Sequence, residues 1–156
     1  MLSLREKMRN GNDFLIGVEL VTTRGTMSET KSVQTRSLAS QLVESDRIDW
    51  VSITDNAGGN PMLSPMALGK TVLYADKEVL IHLSCKDFNR NGLESEAWQL
   101  ASEGFHNILA LTGDYPGTGY GGRSKPVFDI DSVGLLQLLG EMNQGLHRPG
   151  LDPHAR

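Results

Sequence analysis

The stretch VLIHLSCKDFNRNGLESEAWQLASEGFHNILALTGD, Val79 to Asp114, decides the fold. It opens with a short apolar run, Val79 to Ser84, with the length and branched side chains of a buried strand. A second such run, Asn107 to Leu111, lies near its end. Between them Leu93, Ala97, Leu100 and Ala101 fall at i, i+4, i+7 and i+8, one apolar stripe of a helix, and Gly104 supplies its stop. Continuous apolar strands separated by an amphipathic helix make a strand-helix-strand unit. Such units build a parallel sheet covered by helices, with right-handed connections.

The same alternation extends in both directions. Upstream, Phe14 to Leu20 reads as a buried strand, and Lys31 to Glu44 as a helix with Val33, Leu38, Leu42 and Val43 on its apolar side. Trp50 to Thr54 is the next strand, closed by the turn signal Asp55 to Pro61. Met62 to Tyr74 holds a helix in which Pro65 belongs to the first turn. Downstream, Asp131 is the expected N-cap of a helix running through Val133, Leu135, Leu136, Leu138 and Leu139 to near Gly145. Residues 1–146 thus contain four β/α units, and residues 147–156 form an irregular tail with two prolines. The class is α/β. Periodicity leaves two architectures open, a doubly wound sheet or the first half of a (β/α)8 barrel, whose full length is about 250 residues.

Composition narrows the ligand. The 156 residues are 38% hydrophobic and 22% charged, ordinary for a globular chain. No stretch approaches the ~20 apolar residues of a membrane span, and Met1 to Lys7 lacks the apolar core of a secretory signal. Cys85 stands alone, which rules out an internal disulfide and suits a reducing cytoplasm. The net charge of −4 is spread along the chain, with no basic stripe for a nucleic acid. His82, His106, His147 and His154 lie far apart, so no metal site is expected. The ligand should be organic.

Ligands of parallel α/β folds bind at the carboxyl ends of the strands. Those ends carry Glu19, then Thr54-Asp55-Asn56, then His82 with Ser84-Cys85, then Thr112-Gly113-Asp114. All are polar, and together they make a hydrogen-bonding site. Each also has a plainer reading. Glu19, inside Val18-Glu19-Leu20-Val21, is either a salt-bridged carboxylate or a buried carboxyl kept protonated as a proton donor, and the second is favoured. Asp114 after Gly113 is also a common turn pairing, and His82 alone reads as a core histidine. Cys85 reads as a small buried hydrophobe, and Asn56 to Asn60 as a turn. Gly117 to Gly122 matches G-x-G-x-x-G, yet Arg123, Lys125 and Pro126 separate it from the next helix. It is a loop and not a dinucleotide fingerprint.

Taken in order, Val18-Glu19-Leu20, Val51 to Asp55, Ile81 to Cys85, Asn107 to Pro116 and Phe128 to Asp131 resemble the methylenetetrahydrofolate reductase family. The resemblance implies a (β/α)8 barrel with FAD at its C-terminal face, of which about the first four units are present. It implies flavin-dependent reduction of 5,10-methylenetetrahydrofolate to 5-methyltetrahydrofolate in one-carbon metabolism. Glu19 matches the general acid that helps open the folate ring. Asp114 matches a carboxylate between flavin and pterin. Thr54 and His82 match flavin contacts, and Thr112 and Gly113 fall in the cofactor-binding end of the fourth strand.

The departures are informative. Val21-Thr22-Thr23-Arg24-Gly25 stands where the family has an aromatic, proline-containing run, and Thr112 where it commonly has arginine. These changes suggest a divergent branch, with electrons from NAD(P)H or from a partner subunit that relays them. Half a barrel leaves two strand edges open. The chain is therefore expected as a truncated reading frame or fragment, or as a half-barrel that assembles with itself or a partner, and the latter, without catalysis, is the competing function.

Overall fold

The computed structural model describes residues 3–11, 14–119 and 122–146. A short helix α1, Leu4–Asn10, comes first, ahead of the four expected β/α units. Its N-cap Ser3 and Glu6 form a reciprocal capping box, and Gly11 closes it at φ 66°. Lys7 pairs with Asp49 at 3.0 Å and so ties α1 to the start of the second strand.

Four β/α units follow. Strand β1 is Gly17–Leu20 and helix α2 is Thr30–Val43. Strand β2 is Trp50–Ile53 and helix α3 is Pro65–Leu73, with Pro65 in its first turn as expected. Strand β3 is Glu78–Ser84 and helix α4 is Arg90–Ser102. Strand β4 is Asn107–Leu111 and helix α5 is Ser132–Gln144. The sheet order is β1-β2-β3-β4, with every neighbour parallel. Between β4 and α5, in the stretch expected as a loop, β5 (Thr118–Gly119) and β6 (Gly122–Arg123) pair antiparallel. Tyr120, Gly121 and the tail from 147 to 156 lie outside the described residues.

Alternation along the strands separates two faces. Val51 and Ile53 of β2 and Val79 and Ile81 of β3 pack with Ala39, Met66, Leu68, Val72, Leu100 and Phe105. Leu83 joins Cys85, Leu93 and Leu135 in a second cluster. Helices therefore cover one face of the sheet. Ser52, Thr54, Leu80, His82 and Ser84 alternate onto the other, which is the inner face of a half-barrel.

Two expectations need correction. The first strand begins at Gly17, not Phe14. Phe14 is 90% exposed, and the Ile16 amide is held by the Asp49 carboxylate at 2.9 Å instead of by a strand. In α2 the buried positions are Ser32 and Ala39, while Val33 and Leu38 are exposed. Of its larger apolar side chains, Leu42 and Val43 pack partly buried against the main core, while Val33 and Leu38 face outward.

Candidate active site at the strand ends

The parallel register sets the inner face in rows. Glu19 of β1 lies opposite Ser52 of β2, and Ser52 opposite Leu80 of β3. One step further toward the carboxyl ends, His82 lies opposite Leu109. Thr54 follows Ile53, which pairs with Ile81, so Thr54 is level with His82 on the same face. The Thr54 amide still joins the sheet, donating to the Leu20 carbonyl at 3.2 Å.

Thr54 and His82 are both 6% exposed. Thr54 Oγ1 and His82 Nε2 are buried and have no hydrogen-bond partner among the described residues. Buried polar atoms are nearly always paired, so two such atoms on neighbouring strands are candidates to hydrogen-bond a ligand. Burial lowers the His82 pKa, against the opposing pull of the Glu19 and Asp55 charges, and so favours neutral imidazole.

The loops after β2 and β4 meet above this row. Asp55 Oδ2 accepts from the Ser84 amide at 3.1 Å and the Ser84 hydroxyl at 2.8 Å. Burial nevertheless raises the Asp55 pKa, more than the Ser84 bonds and the Lys86 charge lower it. Asp114 Oδ2 accepts from the Gly58 amide at 3.1 Å, and the Gly117 amide donates to the Gly59 carbonyl at 2.7 Å. Gly59, at φ 71°, lies so close to the Tyr115 carbonyl that a Cβ there would collide with it. Arg24, from the loop after β1, donates to Asn60 Oδ1 at 2.6 Å. All three loops thus converge at the carboxyl ends of the strands.

Glu19 and Asp114 lie toward the same end of the sheet, near the end of β1 and just past β4. The expected burial of Glu19 is not found; its side chain is exposed. The reason is topological, since β1 is an outer strand of the sheet and no described strand lies beyond it. Thr112 Oγ1 accepts from the Ser132 amide at 3.0 Å, so its hydroxyl helps cap α5. Gly113 has φ 93°, a conformation open to glycine.

The sequence reading stopped at Cys85 and missed the next two residues. Lys86 is only 2% exposed, and its ammonium pairs with Asp87. Asp87 Oδ2 also accepts from Asn56 Nδ2 at 2.8 Å. The signal was available, because a Lys-Asp pair directly after a buried strand falls at the end where polar groups gather. Cys85 is fully buried, and burial raises its pKa, so it is an unreactive packing thiol as expected. Among the described residues, no group of three or more His, Cys, Asp or Glu side chains is placed to hold a metal ion. A cavity of about 480 Å³ opens at the opposite, N-terminal ends of β3 and β4, beside Arg5, Glu78 and His106, far from the unpaired atoms.

The fold is an α/β half-barrel, with its candidate site at the carboxyl ends of its strands. The profile of the methylenetetrahydrofolate reductase family matches residues 3–139, and the chain belongs to that family. No curated protein matches it. The family is one of oxidoreductases of folate-linked one-carbon metabolism, generally flavin-dependent. The Thr54 hydroxyl and the His82 ring nitrogen offer hydrogen-bonding groups to a cofactor of that kind. No helix among the described residues is long and apolar enough to cross a membrane.

Proposed function

We propose that this chain carries the flavin- and folate-facing half of an enzyme that reduces 5,10-methylenetetrahydrofolate to 5-methyltetrahydrofolate. The observation that carries the reading is a pair of buried atoms on the inner face, Thr54 Oγ1 and His82 Nε2, with no partner among the described residues. Bound FAD supplies the hydride in this reading, from NAD(P)H or from a partner subunit that relays electrons. Thr54 and His82 bind and orient the cofactor, and neutral His82 hydrogen-bonds it without adding charge. Thr112 and Gly113 shape the backbone of the same cradle. Glu19, exposed on the open face, is the proton donor to the folate ring nitrogen. Asp114, carried by the loop after β4, binds the pterin and tunes the cofactor beside it.

Titration of the purified chain with FAD, read by the cofactor's fluorescence, tests the binding claim. Saturable quenching that Thr54→Val weakens supports it; a colourless chain that takes up no FAD overturns it. Glu19→Gln should keep FAD and lose folate reduction. Folate reduction at the parent rate by Glu19→Gln would remove the acid assignment.

A second reading has its own observation. The inner face is partly open, with Val21 and Leu109 exposed, and β1 and β4 are the outer strands. Parallel strands from a second copy or another polypeptide would complete the wall, and the chain would then serve as an assembly subunit, in the cytoplasm as its lone cysteine suggests.

A further inference from the structure

Lys86 closes a ring of contacts around Asp114. Its ammonium pairs with Asp87, and Asp87 Oδ2 accepts from Asn56 Nδ2 at 2.8 Å. Asn56 Oδ1 accepts from the Met62 amide at 2.7 Å, which fixes the loop after β2 in a left-handed turn with Asn56 at φ 43°. Two residues on, the Gly58 amide donates to Asp114 Oδ2 at 3.1 Å. Gly113 brings the ring back to its start. A Cβ at Gly113 would stand 3.1 Å from Cβ, Cγ and Cδ of Lys86, so the glycine lies directly on the lysine stem. The Lys86 carbonyl also accepts from Val127 at 2.8 Å, so one residue grips the β4–α5 connection on both sides of Asp114.

A buried ammonium costs several kcal/mol unless it is paired and held, so its place here calls for a use. We propose that Lys86 is the positioning residue for Asp114. Its stem seats Gly113, and its charge, through Asp87 and Asn56, aims the Gly58 amide at the carboxylate. The use made of Asp114 rests on the reading above, while the positioning itself does not.

Amide hydrogen exchange on the ligand-free chain reads the positioning alone. Lys86→Met keeps the stem and removes the charge, so Gly58 should exchange about tenfold faster, with Ile53 and Ile81 unchanged. Asn56→Gly keeps the left-handed turn and cuts the ring elsewhere, and it should give the same result if Lys86→Met fails to fold. Unchanged Gly58 exchange in the folded variant overturns the proposal. With FAD as probe, the ratio of affinities for its oxidised and reduced forms then tests coupling to Asp114. Lys86→Met should shift that ratio about tenfold in the parent and less than about twofold in Asp114→Ala. An equal shift in both backgrounds, or none, overturns action through Asp114. A chain that binds no FAD sinks the functional reading, and Gly58 exchange decides the positioning by itself.

Discussion

Thr54 and His82 hold the clearest physical tension in the molecule. A buried hydroxyl without a partner costs about 1–3 kcal/mol, and removing it restores that amount while costing the ligand an anchor. Thr54→Val should therefore stabilise the ligand-free chain by about 1 kcal/mol in urea unfolding and weaken FAD binding. Destabilisation by a similar amount would mean that the hydroxyl has a partner. His82 makes a pH prediction. Burial lowers its native pKa below the ordinary 6.5, so between those two values the unfolded chain binds more protons. Its contribution to stability is complete above 6.5 and declines as pH falls toward the native value. The slope for one proton is at most about 1.4 kcal/mol per pH unit. Asp55 acts in the opposite sense at lower pH, since a pKa raised above 3.8 makes stability fall as pH rises through it. Urea midpoints for His82→Gln should vary less with pH than the parent's as pH falls below 6.5. An unchanged slope would remove His82 from the account.

Element by element, the caps and stops were the most legible features. Asp131 caps α5 through the Gly134 amide at 2.8 Å, Pro65 opens α3, and Gly104 follows α4 at φ 88°. These signals act within one turn of chain, so sequence carries them whole. The faces of α2 were not legible, because which stripe is buried depends on the neighbour and not on the stripe. Helix α3 shows how closely a helix meets this sheet. A Cβ at Gly69 would lie 2.9 Å from both Ile81 Cδ1 and Phe105 Cε1, in the middle of the core. Alanine gains about 1 kcal/mol of helix propensity there, and overpacking costs about 1–3 kcal/mol. The collision should win. Gly69→Ala is expected to destabilise the chain by about 1 kcal/mol in urea unfolding, and a stabilised variant would show that α3 moves outward freely.

For the molecule as a whole, the open sheet sets the main prediction. Among the described residues no strand pairs with the outer edges of β1 and β4, and the inner face exposes Leu109 and Val21, features that favour pairing with further strands. Light scattering should show association rising with concentration, and Leu109→Glu should move that rise to about tenfold higher concentration or beyond. A parent chain monodisperse throughout would rule out self-assembly through this face. The sequence by itself determined the order and type of the four β/α units and the polar groups that end their strands, because strand runs, helix stripes and caps are local patterns. Only the tertiary structure decided that Glu19 is exposed, that Thr54 Oγ1 and His82 Nε2 have no partner among the described residues, and that Lys86 is buried beneath Gly113. Those outcomes depend on sheet register and on which neighbours each strand has, and such contacts join residues far apart in the chain.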